Sequence, residues 1–224
     1  MHMKKTLLAC LITSISFSAS ADFLLGGDIE ANVWQQNQIY RGNGFDQEDD
    51  NRGYTFEASL EHFIPLVPNG KFAQSSVEGD FYEYTKQDFT LYYEFLDNDL
   101  VSADAGIGIT KLSNGRVNNG GGVWSETSGV VPHVYAAVEV GIPFTPLFVY
   151  AKGNTFAYDG SRMLDASVGI QYEIPLTLFD LELQVGYRVQ EFELTSLEIL
   201  SLDVQTIDLQ SETDGVFAGV NIDF

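Results

Sequence analysis

Cysteine is nearly absent from these 224 residues: the single thiol is Cys10, close to the N-terminus. The rest of the chain therefore has no disulfide, no thiolate metal site and no cysteine nucleophile. Cations are scarce too, with 11 Lys and Arg against 32 Asp and Glu and a formal net charge of −21. So acidic a chain repels phosphate backbones, and no nucleic-acid partner is expected. Histidine occurs three times, at His2, His62 and His133, which leaves little material for acid–base chemistry. Nowhere is there an apolar run of the roughly 20 residues that a membrane-spanning helix needs. Disorder is excluded by what is abundant: 45% of residues are hydrophobic, 13% are aromatic, and the apolar residues are patterned.

The first 21 residues read as a cleavable secretory leader. Lys4 and Lys5 precede an apolar run from Thr6 to about Phe17, and Ala19-Ser20-Ala21 stands before Asp22. A charged start, a short apolar stretch and an Ala-x-Ala site place cleavage after Ala21, with Ala19 and Ala21 as its recognition residues. Lipid attachment at Cys10 is disfavoured, because the few residues after Lys5 are too short an apolar stretch. The domain division is thus a leader over 1–21 and one domain over 22–224, exported into the periplasm by the general secretion machinery.

From there on, apolar and polar residues alternate with period two, which is a strand signal. Leu164, Ala166, Val168, Ile170, Tyr172 and Ile174 oppose Asp165, Ser167, Gly169, Gln171 and Glu173. Leu181, Leu183, Val185, Tyr187 and Val189 oppose Glu182, Gln184, Gly186, Arg188 and Gln190. A soluble sandwich or a lipocalin-like barrel shares such alternation but turns its apolar face inward. Three features favour the inverted, membrane arrangement. The apolar face persists for about ten residues per strand, enough for a tilted crossing. Short turns, at Pro65–Gly70, Asp97–Asp99, Pro143–Pro146 and Pro175–Asp180, alternate with longer loops, at Gln36–Gly53, Ser113–Gly129 and Thr195–Thr213. The sequence closes on Val220, Ile222 and Phe224 along one face, the pattern of a barrel-closing strand and an assembly signal. The expected fold is all-β: a transmembrane antiparallel up-and-down barrel of about ten strands, or eight if the poorly alternating stretch between Lys71 and Lys86 is not a hairpin. Such a chain belongs in the outer membrane of a Gram-negative bacterium. Its expected partners are outer-membrane lipids and lipopolysaccharide, periplasmic chaperones and the barrel-assembly machinery, and it is expected to be a monomer.

The stretches Glu61-His62-Phe63-Ile64-Pro65-Leu66-Val67-Pro68-Asn69 and Asp88-Phe89-Thr90-Leu91-Tyr92-Tyr93-Glu94-Phe95-Leu96-Asp97-Asn98-Asp99 resemble an uncharacterised family of proteobacterial outer-membrane β-barrels. Tyr158-Asp159-Gly160-Ser161, Gly186-Tyr187-Arg188 and the last strand are similar to that family as well. The resemblance spans the chain beyond the leader and implies the barrel fold. It implies no activity and no catalytic residue.

Parity decides which side chains can do chemistry. His62 is expected to face outward near the Pro65 turn. His133 is expected to face inward near the outer rim, without a partner fixed by spacing. The run Asp46-Gln47-Glu48-Asp49-Asp50-Asn51 lacks the glycine and distal glutamate of a calcium loop, and Asn118-Asn119-Gly120-Gly121-Gly122 lacks the strand-to-helix setting of a phosphate cradle. No cofactor or metal is expected. Arg41, Arg52 and Arg116 are candidates for contact with lipopolysaccharide phosphates. Inward parity collects Asp28, Glu30, Glu57, Glu61, Glu94, Asp104, Glu139, Asp165, Glu173 and Glu182, opposed by Lys152 and Arg188. Those two cations are expected to bridge carboxylates and fill a narrow lumen, with the small residues Ala137, Gly169 and Gly186 leaving them room. The function expected is non-enzymatic, structural or at the cell surface. A narrow cation-preferring channel is the alternative, and an enzyme at the outer rim comes third.

Overall fold

The computed structural model describes residues 25–42, 45–64, 66–98, 100–118, 124–158, 160–194 and 209–224. The expected leader and its cleavage residues Ala19 and Ala21 lie outside the described residues. Eleven strands follow in order: β1 (Leu25–Gly26), β2 (Asp28–Gly42), β3 (Phe45–His62), β4 (Asn69–Glu78), β5 (Tyr82–Asn98), β6 (Val101–Asn118), β7 (Trp124–Gly141), β8 (Leu147–Tyr158), β9 (Ser161–Pro175), β10 (Asp180–Leu194) and β11 (Leu209–Asp223). β1 is a two-residue extension of β2 across Gly27, so ten strands build the wall.

Every neighbouring pair is antiparallel, and β2 pairs with both β3 and β11, so the sheet closes on itself. The closing ladder runs from Ser211–Tyr40 to Asp223–Asp28. It continues through two backbone bonds between Gly27 and Phe224, at 2.9 and 3.1 Å. Closure through β2 and β11 leaves the sheet without a terminal edge strand. The stretch between Lys71 and Lys86 is a hairpin after all, with β4 and β5 paired from Asn69–Tyr92 to Glu78–Glu83.

The apolar residues of the alternation face out. Leu91 is 54% exposed, Ile107 68% and Val134 57%, whereas inward Trp34 is fully buried. A register shift between Glu94 and Leu96 locally breaks the alternation: Phe95 and Leu96 both lie exposed, and Asp97 lines the lumen.

Two expected loops are strand instead. Gln36–Gly53 is mostly paired hairpin, with Gln36 opposite Asn51 and Gly42 opposite Phe45. Likewise β6 and β7 stay paired out to Asn118–Trp124. An 18-residue strand such as β3 or β7 spans about 60 Å at the usual rise, well beyond what a bilayer needs. These hairpins therefore project past the membrane: their outer face is polar there because it meets water, while inward Gln36, Gln38, Leu112 and Val117 stay buried. Of the third expected loop, residues 195–208 lie outside the described residues and 209–213 belong to β11.

Candidate functional site: the barrel lumen

The lumen has three layers, counted from the end that holds the short turns and Phe224. The first is a cavity of about 690 Å³. Asp28, Glu30, Glu57, Glu61, Glu94, Asp104, Glu139, Glu173 and Glu182 line it, as parity expects, and Asp97 and Asp223 join them. Against these carboxylates stand two cations, Lys71 and Lys152. Neutral donors hold several of the acids. Ser59 Oγ donates to Asp28 at 2.7 Å, Tyr92 to Glu61 at 2.7 Å, and Asn221 Nδ2 to Asp28 and Glu182 at 3.1 and 2.9 Å.

The second layer is ionic. Lys152 Nζ lies 2.6 Å from Glu30 and 2.9 Å from Glu57. Lys71 Nζ reaches the same Glu57 oxygen at 2.6 Å, donates to the Tyr135 hydroxyl at 2.9 Å, and sits 4.6 Å from the centre of its ring. Beside this group, Asp165 accepts both forks of Arg188, Lys86 Nζ at 2.7 Å and Gln190 Nε2 at 2.9 Å. Lys86 also pairs with Asp88, which accepts from Thr110 at 2.6 Å and Asn154 at 2.9 Å. Buried charges persist when paired and hydrogen-bonded in this way. The space left among these residues is about 50 Å³.

His133 belongs to this layer. It faces inward as expected, is 3% exposed, and holds a threonine hydroxyl on each ring nitrogen: Thr90 on Nε2 and Thr110 on Nδ1, both at 2.9 Å. One ring nitrogen must donate and the other accept, so neither is available to a substrate. His62 lies half-buried at the turn end, its backbone N–H donated to Asn69 Oδ1 at 3.1 Å.

The third layer, toward the projecting hairpins, is apolar. Trp34, Val77, Tyr82, Leu112, Met163 and Phe192 are the most buried of its side chains. Tyr84 meets Phe192 edge-on at 5.4 Å, and Arg188 lies 5.1 Å from the Trp34 ring. The tyrosine tips find partners at the margins: Tyr84 OH donates to Gln190 at 3.1 Å, and Tyr82 OH meets Thr213 at 2.8 Å, whereas Trp34 Nε1 is buried without a hydrogen-bond partner among the described residues. Gln36 and Gln38 donate to the Ser76 and Glu78 carbonyls at 2.8 and 3.0 Å, where β4 has left its ladder with β3.

Lys152 and Arg188 lie in the lumen against Glu30, Glu57 and Asp165, and Lys71, Lys86 and Asp88, which the sequence reading did not single out, lie there with them. Counting back from inward Tyr92 and Thr90 by twos reaches Asp88 and Lys86, so the signal was present. The apolar layer was missed altogether. The room expected from small residues also proved otherwise. A side chain at Gly186 would meet the Phe217 ring at 2.6 Å, and one at Gly169 the Tyr150 ring at 2.8 Å, so aromatic rings occupy those spaces. Ala137 does stand opposite Lys152.

The acidic run in β3 ties the wall together. Asp49 Oδ2 accepts the Asp80 N–H at 2.9 Å, and Asn51 donates to the Glu78 carbonyl. Among the described residues, no group of three or more His, Cys, Asp or Glu is arranged to hold a metal. Arg116 pairs with Glu83 at 2.5 Å and lies 5.3 Å from the Trp124 ring. Arg52 is exposed, and the side chain of Arg41 lies outside the described residues.

No family model matches the chain, and no curated protein is similar to it at a significant level. Among solved structures, the chain is similar to the translocator domain of autotransporter NalP from Neisseria meningitidis: 13% identity, TM-score 0.41, covering 99% of this chain and 95% of that one. It is also similar to the outer membrane protease OmpT from Escherichia coli: 8% identity, TM-score 0.45, covering 90% and 96%. Neisserial surface protein A follows at 12% identity and TM-score 0.35, covering 88% and 97%. At these values likeness bears on neither ancestry nor activity; the closed ten-stranded barrel is established by its own strand ladder.

Proposed function

We propose that this chain is a monomeric outer-membrane barrel with a closed lumen, structural or surface-presenting in role and not enzymatic. One observation carries the reading: the outside of the wall is apolar while the inside is packed across by the ion pairs around Asp165 and, beyond them, by the aromatic layer around Trp34. An apolar exterior around a polar and packed interior suits lipid outside and no aqueous path within. The two threonine bonds on His133 support the non-enzymatic part. Secretion, periplasmic chaperoning and assembly machinery are the partners such a barrel needs on its way.

The acidic cavity favours a second reading, a cation-preferring conduit, because its carboxylates outnumber its two lysines. Conduction through it would require the Lys86 and Trp34 layers to move aside. The discriminating experiment is ion flux from proteoliposomes loaded with potassium. The closed reading expects leakage no faster than from empty liposomes, and rapid selective release would make the conduit the better reading.

A further inference from the structure

The outer wall is not evenly convex. Across β3 to β8 it carries an apolar groove of about 1180 Å³, with Leu60, Phe72, Phe89, Ile107, Ile109 and Val134 among its lining residues. The groove is as large as pockets that hold drug-sized ligands, roughly 300–1,000 Å³. Two features shape it. On the inner side of β6, a side chain at Gly108 would lie 2.3 Å from the Phe89 carbonyl and 2.5 Å from His133, so only glycine lets the sheet lie this close. On the far side, β7 and β8 stop pairing at Val134–Thr155, although both strands continue; the next outward residue on β7 is Pro132, which has no N–H to offer.

Directly beyond the groove, toward the projecting hairpins, the outward face turns polar. Gln74, Gln87 and Lys111 are register neighbours across β4, β5 and β6, and Gln87 Nε2 donates to Gln74 at 2.9 Å. Lys111 stands two residues beyond Ile109, about 7 Å along the strand. It is exposed and has no ion-pair partner among the described residues. Its flexible stem can lie along the apolar wall and hold the ammonium at the membrane surface.

We infer that this groove is a binding site for one phosphorylated, multiply acylated lipid of the outer leaflet. Its acyl chains fill the groove, and Lys111, with the two glutamines beside it, holds a headgroup phosphate. The inference rests on the outer-membrane placement proposed above. An apolar slot capped by an unpaired cation is complementary to an anionic lipid and not to a neutral one.

The test uses the full chain in detergent and native mass spectrometry. The probes are lipid A carrying its phosphates and lipid A from which they have been removed. Wild type is expected to retain one phosphorylated lipid, with about tenfold weaker retention of the dephosphorylated form, as loss of a charge-assisted contact implies. Lys111→Glu should bring the phosphorylated lipid down to the dephosphorylated level. Val134→Trp, which fills the groove away from the lysine, should weaken both forms. Equal retention of the two lipids by wild type, or unchanged retention in both variants, would overturn the proposal. Cell fractionation addresses the placement separately: a chain found outside the outer membrane defeats that reading, while the lipid titration still reports on the groove.

Discussion

Arg188 grips Asp165 with two parallel hydrogen bonds, Nε to Oδ1 at 2.8 Å and Nη2 to Oδ2 at 2.7 Å, from the strand next to it. Register sets this up. Gln190 stands directly across from Asp165, and Arg188 faces Ser167 and reaches the carboxylate diagonally. Lys86, 1% exposed, arrives from β5 and shares the Oδ2 oxygen at 2.7 Å.

Removing that carboxylate leaves two cations without their principal partner. Asp165→Asn should cost about 3–5 kcal/mol, the usual penalty for breaking a buried ion pair. Glu193→Gln breaks the pair with Arg162, whose side chains are 65% and 40% exposed, and should cost less than about 1 kcal/mol. Urea unfolding of the refolded barrel in detergent compares the two; equal losses would show that the buried pair is nothing special.

The apolar layer should be closed to solutes. In a Trp124→Phe variant the emission of Trp34 reports on it alone, since the chain has two tryptophans. Acrylamide should quench this emission poorly in the folded barrel. Phe192→Ala removes a fully buried ring and should cost about 3–5 kcal/mol and raise the quenching. Quenching in the parent as strong as in the unfolded chain would mean the layer is open.

Phe224 closes the wall through its backbone bonds with Gly27, and its side chain is 44% exposed on the outside. Its deletion removes the last rung of the β11–β2 seam and, with Val220 and Ile222, shortens the proposed assembly signal. Heat-modifiable barrel in the outer-membrane fraction should fall several-fold. Undiminished levels would show that the rung is dispensable.

Topology is testable with two epitopes. The outer tag goes between residues 201 and 202, in the connection from β10 to β11. The inner tag goes after Phe144, in the turn between β7 and β8. Antibody on intact cells should stain the first tag, and should reach the second after the outer membrane is breached. The reverse pattern would invert the barrel.

The alternation in β9, β10 and β11 was legible because each strand keeps one face apolar for the whole membrane crossing. It put Asp165, Arg188 and Glu182 inside without any contact being known. The hairpin β4–β5 was harder to read, since Gln74 and Gln87 face out at the edge of the apolar belt while Ser75 and Lys86 face in, and polarity there no longer reports direction. Beyond the belt the rule reverses. Tyr82, Tyr84 and Phe192 point inward among polar neighbours, because the wall outside is bathed in water and the packed inside is the drier place. The polar and acidic run that made Gln36–Gly53 look like a loop lies, in the structure, on a paired hairpin standing clear of the membrane. Lys86 and Asp88 share a face two residues apart on β5, but the pairing of Lys86 with Asp165 on β9 depends on three-dimensional closure and had no trace in spacing alone.

The ion layer around Asp165 and the aromatic layer around Trp34 should together shut the lumen. Planar-bilayer recording of the refolded wild-type barrel tests it most directly. Insertion without steady conductance in potassium chloride is expected, and a stable, cation-selective open level in the wild type would show that the lumen conducts.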